Sequence, residues 1–167
     1  VPKRGNQEFS VRSDYLAEMV RQVMYEHYQE EAYTQGLSVY TTIRQQDQKV
    51  AYESLRKGVI EYDRRHGYRG PEGYINLRGD TNDEFLDEAL QEVTDSDDLL
   101  PAVVQAVSTK SITAYVKGGQ TATITGDGLK FAQQTLGEKL TPNQRIRVGS
   151  LIRVQMDTEG QWQIAQL

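Results

Sequence analysis

Cysteine is absent from this 167-residue chain. Its absence removes disulfides, thiol catalysis and cysteine-ligated zinc, and it fits an oxidising compartment. Histidine occurs only as His27 and His66, without HExxH-type spacing and without a third ligand, so a metal site is not expected. No run of about 18 apolar residues exists, and nothing reads as a membrane-crossing helix. No charged-then-apolar leader opens the chain. It begins on Val1, and the expectation is a processed or excised segment. Hydrophobic residues make up only 37% and mean hydropathy is −0.66, so the expected core is small and some apolar residues should be meant for a partner.

What is present is unevenly charged. Residues 1–80 are balanced, residues 81–98 carry eight acidic and no basic side chains, and residues 99–167 have a net charge of +3. The asymmetry reads as modules joined by an acidic segment.

Residues 1–12 read as an extended tail, and residues 13–78 as a helical linker. Ser13 caps a first helix, with Leu16, Met19, Val20, Val23 and Met24 on one face and Gly36 at its end. The β-branched and aromatic run LSVYTTI, residues 37–43, reads as a short strand. A second helix spans about Asp47 to His66, with Arg64, Arg65 and His66 in its last turn, where cations suit the helix dipole. The Gly-rich stretch 67–80 is a loop and a boundary. Residues 79–98 hold an acidic helix, with Thr81 as cap and Glu84 completing a capping box.

From Leu99 the period changes from helix to strand. PAVVQAVS, SITAYVK, QTATITG, SLIRVQMD and QWQIAQL are five strand candidates, with a tight hairpin at Gly118–Gly119–Gln120 and a turn at Asp157–Gly160. A partly helical connection, DGLKFAQQTLGEKLTP, separates the third from the fourth. The fold class is therefore α+β: linker helices followed by a small five-stranded OB-like β-barrel at 99–167, with an SH3-like barrel as the nearest rival.

Several motifs invite a catalytic reading. Ser54-x-x-Lys57 matches the first motif of serine acyl-transfer enzymes, but it lies mid-helix, and no Ser-x-Asn or Lys-Thr-Gly run accompanies it. The carboxylates of 81–98 lack a calcium-loop pattern. Neither a Walker-type GxxxxGK run nor a GxGxxG after a strand is present. A single-strand-binding reading would rest on Tyr115, Phe131 and Trp162 with Lys110, Lys117, Arg145, Arg147 and Arg153, beside an acidic helix that repels phosphate. Nine of the ten tyrosines precede residue 80, more than two helices and a strand can bury, and tyrosine suits interfaces.

The strings carry a resemblance. YLAEMVRQVMYEHYQEEAYTQGLSVYTTIRQQDQKVA, followed by VIEYDRRHGYRGPEGY, resembles the class A penicillin-binding proteins, subtype one-A, of Gram-negative bacteria. The matching features fall at Glu18–Tyr25, Gly36–Ile43 and Glu61–Pro71, with Glu61 where the family usually has Asp. LLPAVV at Leu99–Val104 and WQIAQL at Trp162–Leu167 match as well, whereas 72–98 and 108–150 match less tightly. The resemblance implies a piece of a bifunctional peptidoglycan synthase, anchored in the inner membrane and facing the periplasm. It places both active sites, the glycosyltransferase and the transpeptidase, outside these residues, so no catalytic, cofactor or metal residue is expected here. It implies an OB-like regulatory domain that, in some members, docks an outer-membrane lipoprotein activator. Lys117, Gln120, Arg147, Arg153 and Trp162 are the candidate partner-binding residues. Other expected partners are the parent's own transpeptidase and glycosyltransferase domains, with no nucleic acid and no membrane contact by this segment. A single-stranded nucleic-acid or glycan-binding module is the alternative.

Overall fold

A computed structural model describes residues 14–77, 82–137 and 140–166. It divides into two units, Val1–Gly58 and Val59–Leu167.

The first unit holds helix α1 (Asp14–Tyr28), the single turn α2 (Glu31–Thr34) and the first part of α3 (Gln45–His66). The expected cap Ser13 lies outside the described residues. α1 does not run on to Gly36: Gln29 takes φ of +51° and turns the chain back into α2. The reversal is held by side chains. The Glu18 carboxylate accepts from Arg21 Nε and Nη2, both at 2.8 Å, and from Gln22 Nε2 at 3.0 Å, while Arg21 Nη1 donates to the Tyr33 hydroxyl at 2.7 Å. Those hydrogen bonds, Arg21's first, pull the Glu18 pKa down to about 2. Gly36 does adopt the left-handed conformation, at φ +63°.

The expected strand at Leu37–Ile43 is not formed; these residues are irregular. A β-prone sequence makes a strand only when another backbone pairs with it, and no described segment does. No described residue of this unit is buried, and Tyr15 and Tyr40 are 90% and 94% exposed. The unit has helices but no core.

The second unit contains the core. α3 ends where Gly67 turns at φ +87° and its N–H bonds the Asp63 carbonyl at 3.0 Å. Beyond it lie β1 (Gly73–Tyr74), α4 (Asp83–Gln91), β2 (Leu100–Val107), β3 (Ser111–Val116), β4 (Gln120–Thr125), a 3₁₀ segment (Gly126–Leu136), β5 (Ser150–Met156) and β6 (Trp162–Ala165). α4 is capped by Asn82, whose Oδ1 accepts from the Phe85 N–H at 3.0 Å, in place of the expected Thr81–Glu84 box. Thr81 itself lies outside the described residues.

The five expected strands are present, and β1 is a sixth. Pairing is antiparallel throughout, in the order β1-β5-β2-β3-β4. β6 also pairs with β5, at Arg153–Met156, while β1 takes Ser150–Leu151. Leu151 and Arg153 each pair with β2 as well, so β1 and β6 lie end to end along one side of β5. The expected closed barrel is replaced by an open sheet, because β4 pairs with β3 alone among the described strands. The 3₁₀ segment packs against both β4 and β6 and buries Leu129, Ala132 and Leu136 there, so side chains rather than a ladder fill that seam.

The two-residue strand period sorts the core onto the two faces. Ala102 and Val104 of β2 and Ile112, Ala114 and Val116 of β3 point to the larger cluster, with Ala122, Ile124, Ile152, Val154 and Ile164. Val103 and Tyr115 point the other way, onto Leu86 and Leu90 of α4. The Tyr115 hydroxyl donates to Asp87 Oδ1 at 3.0 Å.

Truncating Ile124, which is fully buried, to alanine should cost about 2–5 kcal/mol in urea unfolding of this chain. Met19→Ala, at a side chain 64% exposed, should stay within about 0.5 kcal/mol. Alkali gives a second test. Burial first and then Asp87 raise the Tyr115 pKa, and burial raises that of Tyr68. A group whose folded pKa is raised contributes stability that is full below its unfolded pKa of about 10 and is lost as pH rises above it. Stability should therefore fall steadily above pH ~10, and Tyr115→Phe with Tyr68→Phe should flatten that fall. An unchanged alkaline slope in the double variant would contradict this.

Candidate functional site

The turn Glu61–Pro71 carries the chain from α3 into the sheet. Asp63 is buried near the end of α3, and Arg69 embraces its two carboxylate oxygens at 3.2 and 3.1 Å. The Arg69 N–H donates to Gln166 Oε1 at 2.9 Å, and the Tyr68 ring packs edge-on against Phe131, 5.5 Å between centroids. The turn is thus fastened to the residue that follows the last strand and to the 3₁₀ segment before the chain reaches β1.

β1 then lies against β5 by close backbone approach. The Glu72 N–H donates to the Leu151 carbonyl at 2.9 Å and the Ile75 N–H to the Gly149 carbonyl at 2.7 Å. Gly149 is required twice over. Its φ is +88°, and a Cβ there would collide with the Ile75 carbonyl and come within 2.9 Å of Tyr74 Cε2. The Tyr74 ring therefore rests on bare backbone. The Arg147 guanidinium carbon sits 4.1 Å from the centroid of the same ring. Backbone bonds fix the base of Arg147: its N–H donates to the buried Ser150 Oγ, and the Ser150 N–H returns to its carbonyl, both at 2.9 Å. A cleft of about 310 Å³ opens here, bounded by Pro71, Glu72, Tyr74, Pro142, Asn143 and Arg147.

The five candidate partner-binding residues do not converge. Arg153 donates from Nε to both Glu72 oxygens, at 2.9 and 3.0 Å, and from Nη1 to the Thr94 carbonyl at 2.6 Å. Lys117 Nζ donates to the Val93 carbonyl at 2.8 Å and pairs with Asp95 at 3.1 Å. Both cations hold the segment that follows α4, which brings the acidic stretch onto the basic half of the chain. Gln120 is exposed where β4 leaves the Gly118–Gly119 hairpin, whose two glycines have φ of +98° and +86°. Trp162 lines a different groove, about 410 Å³, with Thr125, Asp127, Asp157, Glu159 and Gln161. Only Arg147 faces the first cleft. Its companion Tyr74 is one of the nine early tyrosines, and nothing local marks it, because the residue that places it, Gly149, lies 75 positions away.

The catalytic readings find no support in the geometry. Ser54 and Lys57 are both exposed in the middle of α3. His66 is stacked on Tyr62 at 3.9 Å, with Nδ1 2.8 Å from the Tyr62 carbonyl oxygen. No metal-holding group of His, Asp or Glu exists among the described residues, and no described helix is long and apolar enough to cross a membrane. Of the aromatics a nucleic-acid platform would use, Tyr115 is buried and bonded to Asp87, and Phe131 is packed on Tyr68.

The described residues of the second unit thus form an open antiparallel sheet of OB-like type with a cleft at Arg147 and a groove at Trp162. Residues 68–167 match the family described as the penicillin-binding protein OB-like domain, and the chain belongs to that family. It is 42% identical over 154 residues to penicillin-binding protein 1A of Neisseria cinerea, covering 91% of this chain and 19% of that one. To penicillin-binding protein 1A of Pseudomonas aeruginosa it is 36% identical over 163 residues, covering 94% and 20%. The crystal structure of penicillin-binding protein 1A from Haemophilus influenzae superposes with a TM-score of 0.73 at 29% identity, over 95% of this chain and 23% of that one. The chain therefore spans about a fifth of the length of the curated relatives it matches.

Arg69→Ala would leave the buried Asp63 carboxylate without its cation and should cost about 1–3 kcal/mol in urea unfolding. Arg44→Ala, which breaks a pair with Asp47 whose side chains are 82% and 64% exposed, should cost under about 0.5 kcal/mol. Equal effects would show that the turn is not organised by this pair.

Proposed function

We propose that this chain is the non-catalytic docking and regulatory region of a bifunctional peptidoglycan synthase. The parent would polymerise lipid II and cross-link stem peptides from the periplasmic face of the inner membrane. The OB-like unit would dock an outer-membrane lipoprotein activator. The observation that carries the reading is the family match over residues 68–167, in a chain that spans a fifth of relatives called penicillin-binding protein 1A. The first unit fits the same reading. Met19, Val23, Leu37, Val39, Val50 and Leu55 are all between 40% and 68% exposed, the kind of apolar surface that marks a contact site. Its occupant would be the parent's own transpeptidase, and the unpaired run Leu37–Ile43 would find its ladder partner there.

Trp162 favours a second reading, contact with glycan strands. An indole face flanked by hydroxyls and carboxylates suits a sugar ring, and the groove beside Trp162 supplies Thr123, Thr125, Asp127 and Gln161.

The test is an NMR titration of this chain with the purified lipoprotein activator from the same organism, with a chitin-type oligosaccharide as the parallel arm. Docking predicts shifts in the second unit with the lipoprotein; no shifts at high micromolar concentration would refute it. Shifts at Trp162 with the oligosaccharide alone would favour the glycan reading. Hydrogen exchange checks the role of the first unit. Amides of 14–58 should exchange well before those of β2, β3 and β5, and equal protection would mean that the first unit needs no further partner.

A further inference from the structure

We infer that the Arg147–Tyr74 cleft is a carboxylate-reading hot spot, which takes an aspartate or glutamate side chain from a protein partner. The inference deepens the docking reading by naming the site and the chemistry it recognises.

Three observations carry it. First, Arg147 pairs with no acid among the described residues. Arg153 has Glu72, Arg69 has Asp63 and Lys117 has Asp95, whereas the Arg147 guanidinium has only the Tyr74 ring beneath it among the described residues. A ring face holds the plane of a guanidinium and leaves its N–H edge free, and that edge is the fork that matches a carboxylate. Second, the site is set in place before any ligand arrives. Gly149 lets the Tyr74 ring lie on backbone, Ser150 Oγ fixes the Arg147 backbone, and Gly70, at φ +115°, lacks the Cβ that would sit 3.1 Å from the Asn143 carbonyl. Little ordering cost remains for binding. Third, the surroundings are those of a contact centre. Tyr74 is 51% exposed and Val148 43%, Pro71 and Pro142 wall the cleft, and Arg and Tyr dominate interface hot spots. The carboxylate that lines the cleft, Glu72, is already neutralised by both of its bonds to Arg153, so an incoming acid is not opposed there.

The charge decides among partner chemistries. The cleft selects an acid, while the Trp162 groove, with Asp127, Asp157 and Glu159, repels one. A partner presenting a carboxylate amid apolar residues would meet the guanidinium, ring and prolines together.

The first experiment needs no identified partner. The ¹⁵N-labelled 167-residue chain is titrated with an acetylated, amidated peptide of alternating Asp and Glu, and with its Asn/Gln counterpart. The acidic peptide should shift the Arg147 Nε–H and the amides of Tyr74, Asn143 and Ser150, weakening as salt rises, and the neutral peptide should not. Arg147→Gln should abolish the shifts. Arg147→Lys, which keeps the charge but loses the fork, should weaken them several-fold and serves as the readout if the glutamine variant misfolds. Shifts centred elsewhere, or equal shifts from the neutral peptide, overturn the inference. The second experiment measures the affinity of the lipoprotein activator, where Arg147→Gln should weaken binding about tenfold or more. If wild type and variant bind the lipoprotein alike, the cleft is not its hot spot and this inference falls while docking stands. If the acidic peptide binds at the cleft but the lipoprotein binds nowhere, the lipoprotein reading falls and the cleft stands. If neither binds, both fall.

Discussion

The buried carboxylate of Asp63 sets the frame for the rest. A charge out of water requires a partner, and Arg69 can supply it only if the helix stops at Gly67 and the chain folds back at once. That reversal places Tyr68 on Phe131 and Arg69 beside Gln166, and it determines where Pro71 to Tyr74 meet β5. The cleft with Arg147 exists because β1 arrives there. A short ion pair at the end of a helix thus positions a surface several residues downstream.

The two halves of the chain follow different physics. In the second unit, β2 and β3 distribute their apolar residues between the sheet's faces, and α4 covers one of them, so burial alone specifies register. The first unit is held by local terms, helix formation and the Glu18–Arg21–Tyr33 network. Local terms of this kind give shape without much stability. The same chain carries one unit with its own core and another in which no described residue is buried.

Much of the second unit was legible in the sequence. Strand spacing, the Gly118–Gly119 hairpin and the Asp157–Gly160 turn each rest on short-range rules, and they appear within a residue or two of the expected limits. What was not legible depends on distant partners. β1 has two residues and no pattern of its own; it is a strand because Gly149 lets it approach. Leu37–Ile43 has every intrinsic mark of a strand and is not one, since propensity cannot supply a neighbour. Closure of the barrel failed for a related reason, because the connection after β4 inserts Leu129 and Leu136 where a ladder would have to form. Among the candidate site residues, Lys117 and Arg153 carry the right charge for a partner but face the acidic segment of their own chain. Composition could not tell a cation engaged by a described acid from Arg147, which among the described residues meets only the Tyr74 ring.

The contact between Arg69 and Gln166 has a consequence for architecture. It brings positions separated by almost a hundred residues to within one hydrogen bond, so the OB-like unit leaves the line of the chain and returns to nearly the same point. Seen from a longer polypeptide, such a unit occupies almost no path length. It could be enlarged, worn down or exchanged over evolutionary time without altering the separation of whatever lies on either side.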